Sequence, residues 1–90
     1  MPVKVKILSP LQKLTDGREE VEGAPGTIMS LVHGLNRQFP DIGERISEGD
    51  RIRRFVNIYL NDEDIRFLQH EQTEVKDGDE VSIVPAIAGG

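Results

Sequence analysis

The residues of this 90-residue chain that could do chemistry are few, and the last five, Ala86-Ile87-Ala88-Gly89-Gly90, are the most informative. Glycine has no Cβ, so Gly89 and Gly90 reach backbone conformations closed to other residues and can pass through a narrow channel. Gly90 is expected to end a thin, flexible arm in an unhindered carboxylate. Five extended residues reach at most about 17 Å, enough to enter another protein's active site while the domain stays outside. A frayed terminus is the bland alternative.

Other candidates are weaker. His33 and His70 are far apart and on different elements, so neither a metal site nor histidine catalysis is expected. Asn61-Asp62-Glu63-Asp64 lacks the spaced ligands and closing glutamate of a calcium loop and reads as a charged turn. Arg51, Arg53 and Arg54 could meet an acidic partner or a phosphate, but a solvated edge is the simpler reading; aromatic residues interleaved for RNA are missing. There is no cysteine, which removes disulfides, thiolate metal sites and thiol nucleophiles. No phosphate loop, dinucleotide fingerprint, nucleophile elbow or paired-carboxylate motif is present. The chain is therefore expected to act without catalytic residues, metal or bound cofactor of its own.

Composition narrows the partners. A formal charge of -5 argues against nucleic acid, which needs a basic face. Met1 to Lys6 alternates charged and apolar residues and does not read as a signal peptide, and no apolar run is long enough to cross a bilayer. A cytoplasmic protein, with no membrane partner, is the expectation.

The elements that must hold the arm follow from periodicity. Val3, Val5 and Ile7 alternate with Lys4 and Lys6 as a half-buried strand. Asp16-Gly17 is a turn signal, with Arg18 to Glu22 as the return strand and Gly23 to Gly26 as a loop. Thr27 is a helix cap, and Ile28, Leu31, Val32, Leu35 and Phe39 form one apolar helical face that Pro40 ends. Gly34, inside that helix, suggests close packing on the sheet. A short second helix from Asp41, as its cap, to Ser47 precedes a strong strand, Phe55 to Leu60. A turn at 61–64 leads to a short strand at Ile65 to Phe67, and the last strand runs from Glu80 to Val84. This β-β-α-β-β order predicts an α+β fold of the β-grasp type: a mixed four- to five-stranded sheet packed on one main helix. Residues 1–85 would form the domain and 86–90 the tail.

Alternation also predicts faces. Val3, Val5, Ile7, Val56, Ile58, Leu60, Val81 and Ile83 should face the helix. Leu8, Phe55, Tyr59 and Val84 should lie on the opposite, uncovered face as an apolar docking patch near the tail.

With these pieces in place, the chain resembles the ThiS/MoaD family of ubiquitin-like sulfur carriers along nearly its whole length. The resemblance rests on Lys76-Asp77-Gly78-Asp79-Glu80-Val81 and on Ile83 to Gly90. The stretch from Arg54 to Phe67 is most similar to the cysteine-pathway, CysO-like branch. The resemblance implies that an E1-like, MoeB/ThiF-like enzyme with ATP adenylates the Gly90 carboxylate. A sulfur donor then replaces AMP to leave a thiocarboxylate. In the cysteine branch the sulfur passes to an aminoacrylate-type acceptor on a PLP-dependent cysteine synthase, and a metal-dependent peptidase releases cysteine. Gly90 would carry the sulfur, while Ala86, Ile87, Ala88 and Gly89 would line the partner's channel. Thiamine-pathway carriers, molybdopterin-synthase small subunits and ubiquitin-like protein modifiers share parts of this pattern and remain alternatives.

Overall fold

The computed structural model describes residues 2–85. In chain order the elements are β1 (Val3–Ile7), α1 (Ser9–Gln12), β2 (Glu20–Gly23), β3 (Gly26–Thr27), α2 (Ile28–Gln38) and α3 (Pro40–Ile46). They continue with β4 (Ser47–Glu48), β5 (Arg51–Ile52), β6 (Val56–Leu60), β7 (Glu63–Asp64), β8 (Glu74–Val75) and β9 (Glu80–Pro85). Short 3₁₀ turns occupy Lys13–Thr15, Ile65–Phe67 and His70–Gln72.

One five-stranded sheet, in the order β2-β1-β9-β6-β7, forms the frame. Its centre is the parallel pair β1 and β9, registered Val5 with Val81 and Ile7 with Ile83. The other neighbours are antiparallel. Two small ribbons, β3 with β8 and β4 with β5, stand outside the main sheet. A parallel pair cannot be joined by a tight turn, and here the crossover carries α2 across one face of the sheet.

Period-two alternation sends Val3, Val5, Ile7, Val56, Ile58, Val81 and Ile83 into the core, with Leu60 partly buried against it. From the helix side Ile28, Leu31, Val32 and Leu35 meet them, joined by Ile42 and Ile46 of α3. Burial of these aliphatic side chains, each worth about 1.5–3 kcal/mol, is the principal force holding sheet and helix together. Thr27 caps α2 as expected: its hydroxyl accepts from the Ser30 N–H at 3.1 Å, and the Ser30 hydroxyl accepts from the Thr27 N–H at 2.9 Å. This reciprocal pair satisfies two amides that the first helical turn would otherwise leave open.

Several local expectations are corrected. Arg18 and Glu19 do not join the return strand; β2 begins at Glu20, and the connection from β1 folds into α1 and a 3₁₀ turn. There the Thr15 hydroxyl, fully buried, donates to the Arg18 carbonyl at 2.9 Å. Asp16-Gly17 does turn the chain, both residues with positive φ. Asp41 is not the cap of α3: Pro40 occupies the first turn and Phe39 stands at the cap, because proline's fixed φ and missing N–H suit a helix start. Glu63-Asp64 is strand rather than turn, since only Asn61 and Asp62, at φ 50° and 71°, form the two-residue hairpin loop. Ile65–Phe67 is a 3₁₀ turn, not a strand; the Asp64 carboxylate caps it by accepting from the Arg66 N–H at 2.9 Å. Gly34 does not pack on the sheet: a Cβ there would meet only Arg37 Nη2, at 4.0 Å.

Candidate functional site

The residues before position 86 define where the chain leaves the sheet. β9 lies between β1 and β6, and its last residue, Pro85, pairs with Val56. Val81 and Ile83 are fully buried, so the base of any following arm is anchored through the core. At the other end of β9 the Asp77-Gly78-Asp79 segment forms a tight turn. The Asp79 N–H donates to the Lys76 carbonyl at 3.0 Å, and Gly78 adopts φ 85°, which favours glycine. The Asp79 carboxylate accepts from the Lys76 N–H at 2.8 Å and from the Asn61 amide at 3.2 Å. Those bonds, led by the one from Lys76, hold its pKa below the ordinary aspartate value. Asn61 completes the clasp by accepting from the Glu80 N–H at 3.0 Å. The hairpin after β6 is thereby tied to the start of β9. Gly90, Gly89, Ala88, Ile87 and Ala86 lie outside the described residues.

The uncovered sheet face carries most of the expected docking patch. Asn57 pairs with Val84 and Tyr59 with Ser82, all half-buried and opposite in alternation to the core residues. Leu8, one residue past β1 and 38% exposed, donates its N–H to the Ile83 carbonyl at 3.4 Å, which sets it beside Val84. The structure thus brings Leu8, Val84 and Tyr59 onto one surface, with Lys4 and Lys6 at one end. Phe55 is not among them. It sits in the turn before β6 and lines a groove with Leu14, Asp41, Glu44 and Arg45, because the strand begins only at Val56.

The histidines stay apart. His33 Nε2 lies 3.5 Å from an Asp50 carboxylate oxygen, and His70 Nδ1 lies 2.8 Å from Glu71 Oε1. Among the described residues no group of three or more metal-ligating side chains forms. No helix there is long and apolar enough to cross a membrane. A feature absent from the sequence reading is a groove of about 560 Å³ in which Arg51, Arg53 and Arg54 are joined by Arg66, His70 and Glu71. The arginine triplet was visible in the sequence, but only the meeting of the β4–β5 ribbon with the two 3₁₀ turns after β7 brings in the others.

A mixed sheet with a parallel central pair, crossed by one main helix and flanked by antiparallel hairpins, is a ubiquitin-like β-grasp fold. The ThiS family model matches residues 5–90. The chain is 40% identical to sulfur carrier protein CysO of Mycobacterium tuberculosis, covering all of both chains. It is 38% identical, with a TM-score of 0.90, to a chain in the crystal structure of the BexX/CysO complex of Amycolatopsis orientalis, covering 98% of this chain and 99% of that one. It also resembles the small archaeal modifier protein 1 of Methanosarcina acetivorans, at 28% identity and a TM-score of 0.86, covering 98% of this chain and 95% of that one. The chain belongs to the ThiS family, as its sequence resemblance implied, and is CysO-like from end to end.

Proposed function

We propose that this chain is a sulfur carrier whose working group is the carboxylate of Gly90. The single observation that carries the reading is its full-length 40% identity to sulfur carrier protein CysO. The anchoring of β9 in the middle of the sheet supports it, because a rigid base suits a presented arm. An E1-like enzyme activates the carboxylate: a Gly90 oxygen attacks the α-phosphorus of ATP and pyrophosphate leaves. A sulfide-level donor then attacks the acyl carbon, the C–O bond to AMP breaks, and a thiocarboxylate remains. That sulfur passes to a PLP-dependent cysteine synthase, and a metal-dependent peptidase frees the cysteine formed. The carrier contributes no catalytic group; ATP, PLP and the peptidase metal belong to its partners, and the setting is the cytoplasm. Leu8, Tyr59 and Val84 dock those partners, while Ala86, Ile87 and Ala88 line their channels and Gly89 gives clearance.

Co-expression with a genomically adjacent E1-like enzyme and a sulfur source should raise the intact mass by the difference between sulfur and oxygen. An adenylate that forms with no such mass change would sink sulfur carriage. A second reading, a ubiquitin-like modifier joined to lysines, is favoured by the likeness to the small archaeal modifier protein. It requires Gly90-linked branched peptides on other proteins.

A further inference from the structure

The protein carries a formal charge of -5, yet one groove collects four guanidinium groups, those of Arg51, Arg53, Arg54 and Arg66. Two of the four are spent on the chain itself. Arg66 forms a close pair with Asp64, Nη2 to Oδ2 at 2.7 Å, and Arg53 Nε donates to the Glu44 carbonyl at 2.9 Å. Arg51 and Arg54 are exposed and form no ion pair among the described residues. Two carboxylates, Asp50 and Glu71, line the same groove. Glu71 is itself engaged: Oε2 accepts from the Ile52 N–H at 3.1 Å and Oε1 faces His70. Beside Arg66 in the chain stands Phe67, 83% exposed and the most exposed large apolar side chain among the described residues.

Location adds a second observation. Val56 lines this groove and is also the strand partner of Pro85, so the groove opens where the chain leaves the sheet. A protein that receives the arm must pass close to it. We infer that the groove is a docking site for an extended acidic segment of such a partner protein, its carboxylates meeting Arg51 and Arg54 and an apolar residue resting on Phe67. An extended peptide can offer a carboxylate to each of Arg51 and Arg54, whereas a free phosphate brings its whole charge to one point beside the carboxylates of Asp50 and Glu71, which line the same groove. Exposed arginine beside an exposed aromatic residue is also the composition that partner surfaces favour.

That the segment belongs to an arm-receiving enzyme rests on the proposed function, but the test of the groove needs no sulfur chemistry. The full-length, ¹⁵N-labelled protein is titrated with a short capped peptide alternating glutamate and leucine, with its glutamine counterpart, and with inorganic phosphate. The expected result is a saturable shift of the arginine Nε–H signals and of the amides at 50–56 and 66–72 with the glutamate peptide alone. Arg51→Gln/Arg54→Gln should weaken it about tenfold, the size of two lost rim charges. Both positions are exposed, and an unchanged amide spectrum elsewhere confirms that the variant folds. Shifts that centre on Lys4 and Lys6, shifts with phosphate as strong as with peptide, or no shift at all would each overturn the proposal. Failure of thiocarboxylate formation would instead tell against the function alone.

Discussion

At the scale of single residues, Asp64, Glu71 and Asp79 do more than decorate the surface. Each has a pKa below the ordinary carboxylate value. Asp64 is held down first by the hydrogen bonds from Arg66, and Asp79 first by the Lys76 N–H and then by Asn61. For Glu71, burial pushes upward but is outweighed by the Ile52 N–H, its own backbone N–H and the charges of His70 and Arg51. A carboxyl whose folded pKa is depressed contributes stability that is complete above its unfolded value and lost as pH falls through the folded value. Stability should therefore decline as the solution is acidified from the ordinary carboxylate range downward. Asp79→Asn should cost about 0.5–1 kcal/mol at neutral pH, as expected for a half-buried, solvent-screened hydrogen-bonding group, and should flatten the acid limb. Urea denaturation at a series of pH values checks both; an acid limb of unchanged slope would remove Asp79 from the explanation.

Between elements, two glycines make opposite predictions. Gly43 of α3 is buried, and a Cβ there would fall within 2.6 Å of Asn36 Cβ on α2, so the two helices touch because that position has no side chain. Gly43→Ala should destabilise by about 1–3 kcal/mol through overpacking. Gly34 has open space around it, and Gly34→Ala should stabilise by up to about 1 kcal/mol as unfolded-chain entropy falls. Thermal unfolding of the two variants should move in opposite directions. The contrast shows where the sequence was legible. Apolar periodicity told which face of α2 is buried, and alternation told the faces of β1, β6 and β9, because both are local properties of the chain. It could not tell which glycine another helix approaches, nor that Phe55 stops short of a strand. Ile65-Arg66-Phe67 alternates as a strand would, but the two-residue loop at Asn61-Asp62 uses up the pairing and Asp64 caps a turn instead. α1 spans four residues, too few for any period to emerge. That Leu8, Tyr59 and Val84 share one face was readable by parity alone. The arginine groove was not, because its walls come from segments about fifteen residues apart.

For the molecule as a whole, the pairing of β1 with β9 sets what must be present before the sheet can form. β1, at Val3–Ile7, finds its central neighbour only at Glu80–Pro85, so the sheet lacks its middle until that strand is present. A chain stopped at Asp79 leaves β1 and β6 with no common neighbour and the β6–β7 hairpin with no Glu80 N–H for Asn61. It should remain largely unfolded by circular dichroism; a cooperative melt from such a fragment would refute this. Folding dominated by such distant contacts is expected on the slow side, in milliseconds to seconds. The consequence is a form of proofreading built into the topology. A copy cut short before Glu80 cannot assemble the face that Leu8, Tyr59 and Val84 share, so only a chain that carries β9 presents it.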